Sequence, residues 1–147
     1  MNSQFEPHKS SLGFDANLIM IIAYFGAIVV SFIPGINILA WAVPLVIFFI
    51  ERDSSYVKYH AIQSLLLEVL GLVFTMTIGI IIAILVSAVI FSGSGAVFGL
   101  AGLVTLLSIA FPIIMLIFSI ICAIKSWNYE CYKIPLIGNW AEKLTLK

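Results

Sequence analysis

Apolar residues fill four long blocks of the chain, separated by short polar or turn-forming breaks. The first block runs from Asn17 to Ile33 and is broken by Pro34-Gly35. The second runs from Ile36 to Ile50 and stops at Glu51-Arg52-Asp53. The third extends from about Tyr56 to Phe91, where Ser92-Gly93-Ser94-Gly95 supplies a turn. The fourth runs from Ala96 to Ile124 and ends at Lys125. A membrane-spanning helix needs about 20 apolar residues, so the last two blocks are long enough and the first two are short. The pattern predicts an all-α integral membrane bundle of four helices, the first two short and the third and fourth long. The first pair reads as two short spans, with a helical hairpin that does not fully cross as the other reading. The first block lacks an A-x-A-like cleavage site and is read as a retained membrane helix.

Composition supports the bilayer as the main solvent. Hydrophobic residues make up 63% of the 147-residue chain and charged residues 10%, against about 25% charged in a soluble domain, and the mean hydropathy is +1.20. Seven basic residues balance seven acidic ones, with no basic patch of the kind that binds nucleic acid. Cys122 and Cys131 stand at neither a redox nor a zinc spacing. No nucleophile elbow, metalloprotease motif, paired intramembrane aspartates or phosphate-binding loop is present. The expectation is therefore a protein that is not an enzyme, with no catalytic residues, cofactor or metal.

Charge placement sets the expected orientation. Lys9, Arg52, Lys58, Lys125, Lys133, Lys143 and Lys147 all lie in the N-tail, the loop after the second block or the C-tail, and the loops around Pro34 and Gly93 carry none. The positive-inside rule then puts both termini in the cytoplasm of a multi-pass protein of the cell membrane. The expected organisation is an N-tail over residues 1–16, a four-helix transmembrane domain over 17–125, and a cytoplasmic interfacial C-tail over 126–147. Trp127 and Trp140 are expected as anchors at the headgroup level. Trp140 and Leu144, four apart beside Lys143, suggest a short helix lying on the membrane.

Two stripes are candidates for chemistry. His60, Gln63, Ser64, Glu68 and Thr75 fall, with Tyr56 and Gly71, on an arc of ~140° along the third helix, and beyond the loop of residues Glu51–Tyr59, which holds Lys58, Glu68 is the only formal charge inside an apolar block. A carboxylate in hydrocarbon costs at least ~2.5 kcal/mol unless paired, protonated or hydrated. This candidate intramembrane polar site is either a pathway for ions or protons or a set of hydrogen bonds between helices. In the fourth helix Ala101, Thr105, Ser108, Pro112, Ser119, Ala123 and Ser126 form a second, small-residue stripe suited to close helix packing or to lining a pore, and Pro112 is expected to kink the helix.

The run Glu51-Arg52-Asp53-Ser54-Ser55-Tyr56-Val57-Lys58-Tyr59-His60-Ala61-Ile62-Gln63-Ser64 and the ending Tyr132-Lys133-Ile134-Pro135-Leu136-Ile137-Gly138 resemble the two signatures of a family of small prokaryotic four-helix membrane proteins of unknown function. That family is similar to the inner-envelope import component of the plastid Tic translocon. Tyr56, Lys58, Tyr132, Pro135 and Gly138 are its motif residues here. The resemblance implies a subunit of a membrane complex or translocation apparatus, partnered by the lipid bilayer and by other membrane proteins or itself. The alternative is a small ion or solute channel or transporter built on the polar stripe.

Overall fold

A computed structural model describes residues 4–92 and 96–145. The turn expected at Gly93-Ser94-Gly95, and Lys147, lie outside these residues. The fold is all-helical. Helix α1 spans Ala16–Ser31, a single 3-10 turn Asn37–Leu39, α2 Ala42–Ile50, α3 Ser55–Ser92, α4 Ala96–Trp127 and α5 Ile137–Thr145. Beside the helices of the expected bundle, the C-tail forms α5, the short helix that the spacing of Trp140 and Leu144 suggested.

The second block departs most from expectation. Instead of one helix from Ile36 to Ile50 it forms turns, the 3-10 segment and then nine residues of α2. Pro44 is the reason. Its nitrogen has no proton for a helical bond, so a helix accommodates it best in a first turn, and α2 begins two residues before it. At 1.5 Å per residue α1 is about 24 Å long and α2 about 14 Å, against about 30 Å of hydrocarbon. Between them Gly35 takes φ +87°, a left-handed conformation that glycine adopts without steric cost.

α3 and α4 have 38 and 32 residues, and the stretches Ser55–Phe91 and Gly99–Trp127 are long and apolar enough to cross a membrane. The chain divides into two compact units, to which both helices contribute. In the unit formed by residues Leu70–Leu116, the helix stretches are each a little over 30 Å long, about the depth of a bilayer core. Partly or fully covered positions there recur at 3–4 spacing: Gly71, Phe74, Ile78, Ile81 and Leu85 on α3, and Ala101, Val104, Ser108, Phe111 and Met115 on α4. This is the seam of an antiparallel helix pair, and Phe74 stacks on Phe111 with ring centroids 3.7 Å apart. The rest of the surface is largely exposed Leu, Ile, Val and Met, a pattern that lipid satisfies and water does not. The small-residue stripe expected on α4 is therefore only partly the packing face. Thr105 and Pro112 are exposed, and the Thr105 hydroxyl is spent on the Ala101 carbonyl of its own helix. α4 continues through Pro112.

The second unit holds residues 4–69 and 117–145 of the described chain. Its core is Ala16, Ile19, Met20 and Ala23 of α1, Ile47 of α2, and Tyr56, Val57 and Ala61 of α3, closed by Tyr129. Both tails are built into it. The Phe5 amide donates to the Tyr129 carbonyl, the Tyr129 hydroxyl donates to the His8 carbonyl, and Phe5 packs on Tyr56. A smaller core of Tyr59, Ile62 and Ala141 fixes α5 against α3.

Candidate functional site

α3 begins where the Ser54 hydroxyl accepts the Val57 amide, an N-cap bond. That start puts Tyr56, His60, Gln63 and Ser64 on the side of the helix facing α1, the end of α4 and the C-tail. All four are fully buried. Gln63 is the hub. Its side-chain oxygen accepts the Tyr59 hydroxyl at 2.8 Å and lies 3.4 Å from the Ile134 amide. Its NH2 group reaches the Tyr24 hydroxyl at 3.0 Å, the Tyr132 carbonyl at 3.0 Å and the Cys122 sulfur at 3.3 Å. One amide thus ties together α1, α3, α4 and the C-tail.

His60 continues the network. Tyr24, which accepts from Gln63, sits 3.1 Å from His60 Nδ1, and His60 Nε2 faces the Cys131 sulfur at 3.6 Å. The bond pattern assigns Nδ1 as acceptor from Tyr24 and Nε2–H as donor toward Cys131. Three tyrosine rings pack around the imidazole, the nearest, Tyr56, at 4.7 Å. Ser64 donates to the Ala23 carbonyl at 2.7 Å, and Tyr56 donates to the Ser126 carbonyl at 2.9 Å. Among the described residues no buried side-chain nitrogen or oxygen lacks a partner. A thiol beside an imidazole has the outline of an activated nucleophile. Burial instead pushes the Cys131 thiol up to about 12, which leaves it a protonated packing group.

The rest of the predicted polar site is not part of this cluster. Glu68, one turn beyond Ser64, is half-buried, and among the described residues it makes no hydrogen bond or ion pair. Thr75 is exposed. Lys125, a conceivable cation for Glu68, is paired with Glu130 at 2.7 Å. Among the described residues no group of three or more His, Cys, Asp or Glu side chains is placed to hold a metal ion.

The motif residues of the C-tail serve the same cluster. The Tyr132 carbonyl accepts from Gln63, and the Pro135 carbonyl accepts the Ile137 amide at the start of α5. Gly138 is buried where a Cβ would meet the Lys133 Cα at 2.9 Å and the Gln63 oxygen at 3.0 Å. Lys58 donates to the Arg52 carbonyl. Trp127 and Trp140 are both exposed.

A second polar group, which sequence reasoning missed, lies at the α2–α3 turn. The Glu51 carboxylate is almost fully buried and accepts the Ser11 hydroxyl and amide and the Asp53 and Ser54 amides. Burial acts to raise its pKa, but these bonds outweigh it and hold the carboxyl below its ordinary value. His8 lies 2.7 Å from the Ser54 hydroxyl. The N-tail is thereby strapped across the turn. Tyr24 was also missed; the one phenol in an otherwise apolar helix was its signal.

These features define the class: an all-helical membrane protein with an apolar helix pair and a polar end closed by its own hydrogen bonds. The chain belongs to the magnetosome magnetite crystal formation protein family, whose model matches residues 15–141. It is similar to two UPF0132 membrane proteins of Methanocaldococcus jannaschii. MJ1527 is 29% identical over 133 residues, covering 90% of this chain and 72% of that protein. MJ1443 is 27% identical over 135 residues, covering 92% and 93%. No solved structure matches the chain.

Proposed function

We propose that the protein is a non-enzymatic structural subunit of a membrane assembly, in the cell membrane with both termini cytoplasmic. The observation that carries this reading is the fate of the polar stripe on α3. His60, Gln63 and Ser64 are consumed in bonds that hold four parts of the chain together, so they act as a clasp. The exposed apolar residues of the α3–α4 pair offer lipid and neighbouring membrane helices a broad surface. The nine-residue α2 supports the reading in which α1 and α2 enter the bilayer as a hairpin and return. The translocation role implied by the plastid resemblance fits the same architecture, although neither the family nor the relatives are named for it.

The family description speaks of magnetite crystal formation. The chain has no Asp, Glu or His in 32–41 or 92–95, the loops opposite the termini, so its own carboxylates favour a role in the membrane over direct contact with mineral on that side. A channel or transporter is the second reading, favoured only by the unpaired carboxyl of Glu68. Cross-linking in native membranes followed by native electrophoresis tests the proposal: the protein should run in a discrete complex larger than a monomer. Migration as a monomer alone would contradict it.

A further inference from the structure

We infer that α5 is a docking surface for an anionic lipid leaflet, held rigidly to the bundle by its other face. On its inner face Gly138 and Ala141 are buried, Gly138 against Gln63 and Ala141 against Tyr59 and Ile62. On its outer face Trp140 and Leu144, one turn apart, are 63% and 57% exposed, and Leu136 just before the helix is 81% exposed. Such apolar groups on a nine-residue helix have no reason to face water.

Charge names the occupant. Glu142 pairs with Lys133, and Glu130 with Lys125. Lys143 is exposed and forms no ion pair among the described residues, and at 100° per residue it lies ~60° from Trp140. The outer face therefore combines an apolar arc with one uncompensated cation at its edge, the pattern of a helix seated at the headgroup–acyl boundary. Leu136 adds independent support. It takes φ +67°, a conformation uncommon for a residue other than glycine, and its side chain is exposed immediately before the helix. An anionic headgroup neutralises that lysine.

The experiment uses the full chain with Trp41→Phe and Trp127→Phe, leaving Trp140 as the only indole, in phosphatidylcholine vesicles with and without phosphatidylglycerol. Trp140 emission should be blue-shifted and strongly quenched by lipids brominated high on the acyl chain, and more strongly when phosphatidylglycerol is present. Lys143→Glu should remove the phosphatidylglycerol dependence while leaving the melting temperature unchanged. Leu144→Glu should weaken the bromolipid quenching itself. Quenching by aqueous acrylamide but not by bromolipid would overturn the inference, as would protection from both, which would mean that protein covers the helix. A phosphatidylglycerol effect that survives Lys143→Glu would overturn the charge argument. None of these readouts depends on whether the protein proves to be a subunit or a channel.

Discussion

The side-chain oxygen of Gln63 lies 3.0 Å from the point where a Cβ on residue 138 would stand, so the hub of α3 and the start of α5 touch through a glycine. The Lys133 Cα, 2.9 Å from the same point, is backbone and cannot swing aside. Gly138→Ala should therefore destabilise the protein by about 1–3 kcal/mol through overpacking, despite alanine's better helix propensity. A thermal melt in detergent checks this; an unchanged or raised melting temperature would show that α5 is not locked to α3.

Gln63→Leu should cost more. It strips a partner from the Tyr59 hydroxyl, the Tyr132 carbonyl and Tyr24 together, and a buried group left unpaired costs about 1–3 kcal/mol. Thr105→Val is the control, because that hydroxyl bonds only within its own helix and is exposed; it should stay within ~0.5 kcal/mol of the parent. Equal melting of the two variants would remove the clasp from the account.

Acid should loosen the N-terminal strap. The pKa of Glu51 is lowered in the folded chain from an ordinary value of 4.5. Its contribution to stability is thus present above that value and lost as pH falls through the folded pKa. Ser11→Ala removes the hydroxyl bond, lets the folded pKa rise toward the ordinary one and shrinks the contribution. The parent should lose more stability between pH 7 and pH 3 than Ser11→Ala does, measured by melts across that range. Parallel losses would place the acid sensitivity elsewhere.

Topology can be read with single cysteines in a Cys122→Ala, Cys131→Ser background. Cys131 is itself a poor reporter, since burial suppresses its thiolate. Ser94→Cys should label from outside the cell, and Arg52→Cys only after permeabilisation. Asn37→Cys, at the turn between α1 and α2, should be shielded from both sides. Labelling of Asn37→Cys from outside would show that α1 and α2 cross the bilayer.

Helix number and the apolar exterior were largely legible in the sequence, because a helix that crosses a bilayer needs a long uninterrupted apolar run. The short α2 was legible only in part: Pro44 was visible, but its place in a first turn depends on where the preceding turn ends. The structure gathers the polar arc of α3 down to Ser64 into one cluster and leaves Glu68 and Thr75 outside it, because angle on a helix says which residues share a face, not how far along the helix the packing partners extend. The strap of Ser11 on Glu51 was not legible at all, since the two lie 40 residues apart and no local pattern links them.

The central claim is that the polar residues of α3 are a clasp and not a conduit. Ion flux through vesicles reconstituted with the purified protein tests it most directly. Flux should equal that of empty vesicles, and Glu68→Gln should change neither it nor the melting temperature appreciably. Cation or proton flux well above the empty vesicles that is abolished by Glu68→Gln would contradict the account and establish the channel reading in its place.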